Sequence, residues 1–211
     1  MHRWLMVFLI VSLVASRSAS AQTLTYHVVK GGKTIGNMIC KKYYAGDTLV
    51  YAITSETTFK LLVVSFHLKY DLVEKFVNGV LVSGHAENYL NGKPQKVSRV
   101  SRVRSDYDVM LNNKLTKFVG ASFGYTIPEL YYSEPGTRTK IFSQQFADFL
   151  TIVKEGPGEY GLINSDGKNM YLYENGICKQ VNINRVYASF SFDLVGSAPI
   201  KKPVAKDHNR P

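Results

Sequence analysis

From residue 66 to residue 119 the chain alternates between short β-prone runs and reversal signals. Phe66-His67-Leu68-Lys69-Tyr70-Asp71-Leu72 and Gly79-Val80-Leu81-Val82-Ser83 are typical runs, and Asn78-Gly79, Asn91-Gly92, Ser105-Asp106 and Asn112-Asn113 punctuate them. A two-residue type I′ turn needs positive φ at both central positions. Asn and Gly accept this at least cost, so such pairs predict β-hairpins. The reversals fall about 7 to 14 residues apart with no helical period between them, and strands joined that way pair antiparallel. The flanking chain is expected to extend the same sheet.

Residues 24–29 alternate and turn back at Gly31-Gly32 into residues 34–40, where Gly36 predicts a bulge or a bend. Gly46-Asp47 makes the next reversal, followed by a long strand or strand pair over 49–59. Leu61-Leu62-Val63-Val64 is continuously apolar and reads as buried strand or a corner of the sheet. The pattern breaks at Thr126-Ile127-Pro128-Glu129, a capping-box sequence that predicts a short helix or helical turn over 127–132. Residues 144–153 fit two readings, a helix from Phe146, Phe149, Leu150 and Val153 or a strand from Thr151-Ile152-Val153. Strands over 159–164, 169–173, 177–184 and 185–194 close the domain, with turns at Asp166-Gly167 and Asn175-Gly176. The expected fold is all-β with minor α: a strongly curved antiparallel meander sheet, half-barrel or barrel, with one or two short helices at the concave face.

The two ends of the chain read differently. Residues 1–21 have a secretory signal peptide's layout: His2 and Arg3, then an apolar run over 4–15, then Ala19-Ser20-Ala21 as a cleavage site. The expectation is an exported protein, periplasmic or extracellular, with no transmembrane segment after cleavage. Residues 22–196 form one domain, long enough to bury about 70% of its unfolded surface without metal or disulfide support. Residues 197–211, rich in Pro and basic side chains, read as a flexible tail.

The net charge is +10, to which the leader's Arg3 and Arg17 contribute two. This balance favours anionic surfaces such as phospholipid headgroups or acidic polysaccharide. The basic residues are spread out and no RNA-binding aromatic motif accompanies them, so nucleic acid is not an expected partner. Cys40 and Cys178 leave two readings open, a disulfide closing a long loop or two separate half-buried thiols. No His joins them at zinc spacing, so neither metal nor cofactor is expected.

Candidate chemistry is sparse. The chain has no nucleophile elbow, Walker loop, dinucleotide fingerprint or paired-His motif. His27, His67 and His85 each fall in a strand, and Asp71 with Glu74 is the one carboxylate pair considered for acid/base work. The reading leans away from an enzyme. The positive signal is aromatic: fourteen Tyr and eleven Phe, mostly in strands. In a curved sheet these fill the core or line a cavity for an apolar or amphipathic ligand, and Tyr51, Tyr70, Tyr89, Leu130, Tyr131 and Phe149 are the lining candidates. Arg99, Arg102 and Arg104, in the most basic stretch, are a candidate patch for an anionic partner. The plainer reading of that stretch is a solvated or edge strand guarded by charge.

Gly31-Gly32-Lys33-Thr34-Ile35-Gly36, Leu130-Tyr131-Tyr132-Ser133-Glu134-Pro135-Gly136 and Tyr171-Leu172-Tyr173-Glu174-Asn175-Gly176-Ile177 carry a resemblance. The chain resembles uncharacterised exported β proteins of Gram-negative envelopes, a family with a domain of unknown function. These are similar to the half-barrel proteins that carry lipoproteins across the periplasm. The resemblance implies a bent antiparallel sheet wrapped around short helices, with an apolar concave face and no catalytic residues. Two functions remain: binding a hydrophobic or amphipathic molecule in the concavity, or docking another envelope protein through an edge strand or the basic face.

Overall fold

The protein is seen here as a computed structural model that describes residues 21–61, 63–184 and 189–199. All of the expected leader but Ala21, and all of the expected tail beyond Pro199, lie outside the described residues. Fourteen strands form one antiparallel sheet. The first arm is a meander of β1 (Gln22–Lys30), β2 (Lys33–Ala45), β3 (Thr48–Leu61), β4 (Val64–Val77), β5 (Val80–Leu90), β6 (Lys93–Val103), β7 (Asp106–Leu111) and β8 (Lys114–Phe118). The second is β9 (Lys140–Ser143), β10 (Asp148–Gly156), β11 (Glu159–Asn164), β12 (Gly167–Glu174), β13 (Ile177–Asn184) and β14 (Ser189–Pro199). The arms join where β1 pairs with β14, so β8 and β9 end the hydrogen-bonded order, which does not close. β14 carries on to Pro199 opposite Gln22, into the start of the region expected to be a tail.

Local chemistry places most turns. Asn78-Gly79, Asn91-Gly92, Asn112-Asn113 and Asn175-Gly176 all have positive φ at both positions. Two turns sit one residue earlier than expected. Val103 pairs with Asp106, leaving Arg104 (φ 60°) and Ser105 as the turn. Asn164 pairs with Gly167, and the Asn164 side chain accepts the Asp166 N–H at 2.8 Å. Gly36 marks a close approach: a Cβ there would stand 2.2 Å from the Glu56 carbonyl oxygen on β3. The β1–β2 register shifts beside it, between Val28 and Val29.

Two expectations change. The run at 61–64 is no buried strand: Leu61 pairs with Val64 at the end of a hairpin, and Val63 and Val64 are 94% and 51% exposed. The helical reading of 144–153 fails as well. Asp148 pairs with Ser143 and Phe149 with Phe142, so the segment is a turn followed by β10. Cross-strand hydrogen bonds and burial of Leu150 and Ile152 outweigh the helical spacing. Among the described residues the one helical element is the 3₁₀ turn Ile127–Tyr131, its capping box in place with Glu129 accepting the Thr126 N–H at 3.4 Å.

Aromatic contacts show how far the sheet bends. Phe118 of β8 lies 6.1 Å, centroid to centroid, from both Phe142 of β9 and Phe149 of β10, so the two ends of the order stand side by side. Phe123, from the β8–β9 connection, stacks between Tyr107 of β7 and Phe142, 3.9 Å from each. That connection runs inside the concavity. Its Phe123 carbonyl accepts the Leu81 N–H and its Tyr125 carbonyl the Phe142 N–H, while Phe123, Tyr125, Thr126, Leu130, Tyr131 and Tyr132 are all buried.

Two substitutions test this architecture by urea denaturation. Phe123→Ala empties a fully buried ring site and is expected to cost about 3–5 kcal/mol. Gly36→Ala drives a methyl into strand backbone and should cost about 2–3 kcal/mol. Gly92→Ala, where no atom lies within 4 Å of the new Cβ, should cost only about 1 kcal/mol through its positive φ. Equal losses at Gly36 and Gly92 would contradict the close approach.

Candidate functional site

Strand alternation sends every second side chain into the concavity. There the interior has two unlike halves. In one, the 3₁₀ turn and Tyr132 just after it pack against β1 and β3: Tyr26 meets Tyr131 edge-on at 5.5 Å, and Tyr51 lies between Phe76 of β4 and Tyr132, 5.7 Å from each. In the other half the walls stand apart around a cavity of about 310 Å³. Met38, Ile53 and Tyr70 form one wall, Leu150, Leu162, Tyr171 and Val181 the other, and Ile127 and Tyr131 the floor. Lys30, Phe59, Phe190 and Phe192 also line it, near the ends of their strands. Among its polar lining atoms, Asn169 Oδ1 is buried with no hydrogen-bond partner.

Of the six lining candidates, Tyr70 and Tyr131 face the cavity. Tyr51 and Leu130 lie in the filled half, where the Leu130 carbonyl accepts the Tyr173 hydroxyl at 2.8 Å. Phe149 belongs to the aromatic seam between the sheet ends. Tyr89 donates to Glu87 at 2.6 Å, away from the cavity. Tyr171, Phe190 and Phe192 also line the space. The last two carry a readable signal, being in phase along a closing strand.

The three arginines do not share one surface. β6 sits between β5 and β7 and is not an edge. Arg99 is on the outer face opposite His85, Arg102 has the other parity opposite Tyr107, and Arg104 is in a turn. Asp71 and Glu74 separate for the same reason. Residues three apart on a strand face opposite ways, so Asp71 pairs outside with Lys69 at 3.0 Å while Glu74 is fully buried. His67 and His85 meet Glu56 and Glu87 at 2.7 and 3.0 Å; of the four, Glu56 is exposed and the others are half-buried. Cys40 and Cys178 are buried free thiols with β1 and β14 between their strands. Burial raises both, Cys178 to about 12, which leaves little reactive thiolate.

The least foreseen feature is a pair of buried carboxyls in the filled half. The Thr126 hydroxyl donates to Glu74 Oε2 at 2.5 Å, and its N–H donates to Glu129. Glu74 Oε1 has no partner. Burial pushes Glu74 up to about 8 and Glu129 up to about 7; the nearby Glu129 raises Glu74 further, while the Thr126 bond lowers it. Arg138, stacked 4.4 Å over the Tyr125 ring, and Lys42 hold Glu129 down. The signal was legible as alternation, because Leu72, Glu74 and Phe76 share one parity.

The chain belongs to the family described as domain of unknown function DUF6134, whose model matches residues 26–195. No curated protein and no solved structure shows a significant match.

The buried carboxyls set a pH dependence. The folded protein retains protons that an unfolded chain, titrating near 4.5, releases. Their stabilisation is therefore full below about 4.5 and is lost as pH rises through about 7 and about 8. Denaturation midpoints should fall between about pH 5 and pH 9, by an amount on the order of a few kcal/mol. Glu74→Gln keeps the shape and removes the charge, so its stability should depend less on pH. A parallel decline in both proteins would show that Glu74 is not the titrating group.

Proposed function

We propose that this chain is an exported, non-enzymatic protein of the cell envelope that holds one apolar or amphipathic molecule in its cavity. The observation that carries the reading is the cavity itself: about 310 Å³, walled by Met38, Ile53, Leu150, Leu162 and Val181. Small-molecule sites begin at about this size and have this character, mostly apolar with a few placed polar groups. The mostly apolar walls favour an apolar occupant over water, because each buried CH₂ of a ligand gains about 0.8 kcal/mol. An apolar chain would lie between the walls, and a polar end would meet Asn169 or Lys30. Export is supported by the charged start, apolar run and Ala19-Ser20-Ala21 of the first 21 residues.

The second reading is docking of another envelope protein. It is favoured by β8, which ends the sheet with Lys114, Leu115, Thr116 and Lys117 exposed. Added strands pair with such an edge, although its lysines are also the usual guard against that.

Native mass spectrometry of gently purified protein should find a copurified apolar molecule, and the emptied protein should take up a fluorescent long-chain fatty acid. Val181→Phe and Leu162→Phe fill the space. Each should weaken uptake at least tenfold, about 1.4 kcal/mol, with the melting temperature unchanged or raised. A wild-type protein that carries no ligand and takes up no probe would refute the reading.

A further inference from the structure

The β3–β4 hairpin outreaches its neighbours. β2 stops pairing with β3 at Gly36–Thr57, and β5 stops pairing with β4 at Leu68–Leu90. Asn91 in the β5–β6 turn still bonds His67, donating its N–H and accepting the His67 N–H, and β2 runs on to Lys33 paired with β1. Beyond His67 the hairpin pairs only with itself, through Phe59–Phe66 and Lys60–Ser65 to Leu61–Val64, a finger of roughly 10 Å at about 3.3 Å per residue. Phe59 and Phe66 stack across it at 5.3 Å, and Lys30 Nζ lies 4.7 Å over the Phe59 ring. Its tip is apolar and exposed, with Val63 at 94% and Val64 at 51%. Phe59, at the base of the finger, also lines the cavity.

Topology gives the finger its surroundings. In an antiparallel meander every odd-to-even connection falls on one rim, the rim of this finger. Lys30, Lys33, Lys60, Lys93 and Lys114 lie at these connections, against Asp148 and Asp166, while Lys168 is paired with Glu155. The opposite rim is mixed, with Asp47, Asp106, Glu159 and Glu174 among Arg102, Arg104, Lys117, Arg138, Lys140 and Lys154. The finger's rim is therefore the one with a clear basic excess, around an exposed apolar tip at the cavity end. A bilayer with anionic headgroups matches both features at once, because the apolar tip enters the interface while lysines reach phosphates by extending their stems.

We propose that this rim docks on an anionic lipid bilayer, with the β3–β4 tip inserted and the rim lysines on headgroup phosphates. Docking in this way would set the cavity against the membrane that could supply an acyl chain. The docking stands apart from the cavity's occupancy: vesicle binding tests one and fatty-acid uptake the other.

The test is flotation of the full chain, without its leader, with vesicles of phosphatidylcholine mixed with phosphatidylglycerol and with vesicles of phosphatidylcholine alone. Binding should be strong to the mixed vesicles, weak to the neutral ones, and reduced by salt. Val63→Asp with Val64→Asp should lower binding at least tenfold. Lys60→Gln and Lys93→Gln should each lower it about fivefold, and Lys154→Gln on the opposite rim should change nothing. Thermal melting checks that each variant is folded, and if the valine pair fails to fold, the lysine variants and salt titration decide. No vesicle binding, equal binding to both compositions, or equal loss from Lys154→Gln overturns the proposal. So does capture of a protein by the tip in the absence of any vesicle binding.

Discussion

Everything inside this protein depends on one aromatic sandwich. An open sheet of this length must still cover its apolar concave face, and its ends, β8 and β9, are not hydrogen-bonded to one another. Phe123 fills the breach by stacking on Tyr107 from one end and Phe142 from the other, while Phe118 and Phe149 close over it. Each such pair adds about 0.5–1.5 kcal/mol beyond the area it buries. The seam does more than stabilise, because it holds the two arms at the curvature that leaves a cavity between them. A ladder of hydrogen bonds would fix strand spacing at about 4.8 Å. Interleaved rings keep the ends apart by a side chain's width and let the connection pass between.

That connection explains the two halves of the interior. Residues 123–132 of the connection pass through the concavity, and the 3₁₀ turn fills the part it reaches. Backbone bonds from Leu81 and Phe142 anchor it, so it behaves as an inner layer with partners on both arms. The buried carboxyls sit where this layer meets β4. Thr126 links them by giving its hydroxyl to Glu74 and its amide to Glu129, while burial, against the pull of that hydroxyl bond, keeps Glu74 neutral near physiological pH. An ionised Glu74 with one orphaned oxygen would be far costlier there than a protonated one.

What the sequence reveals about this architecture is what local chemistry controls. Asn-Gly pairs accept positive φ wherever they fall, Gly36 has no Cβ where β3 presses on it, and Thr126 with Glu129 caps a turn in any context. The exposed tip at Val63 was unreadable for the opposite reason. An apolar run of four looks alike in a core and on a finger, and only the distant registers of β2 with β3 and β4 with β5 show that neither neighbouring strand is paired alongside it. The run at 144–153 has helical spacing, but its pairing with β9 is decided by a strand whose place depends on the seam. The lining candidates divide similarly. Tyr70 and Tyr51 lie on neighbouring strands and both turn inward, yet which half each joins depends on where the inner layer stops.

Parity is the further information that a meander encodes and composition conceals. Once strand boundaries are known, the odd or even count of a turn assigns it to a rim, and the odd or even place of a residue assigns it to a face. Arg99 and Arg102 look like one basic patch in the sequence, and alternation divides them between two faces. Lys30, Lys60 and Lys93 look unrelated, and the turn count gathers them at one rim. The charge distribution on the folded surface therefore differs from the one along the chain. The densest basic stretch is dispersed by the fold, and lysines about thirty residues apart are brought together beside an exposed apolar tip. Electrostatic attraction falls off within a Debye length, about 8 Å at physiological salt, so only charges collected in this way can act together on a surface.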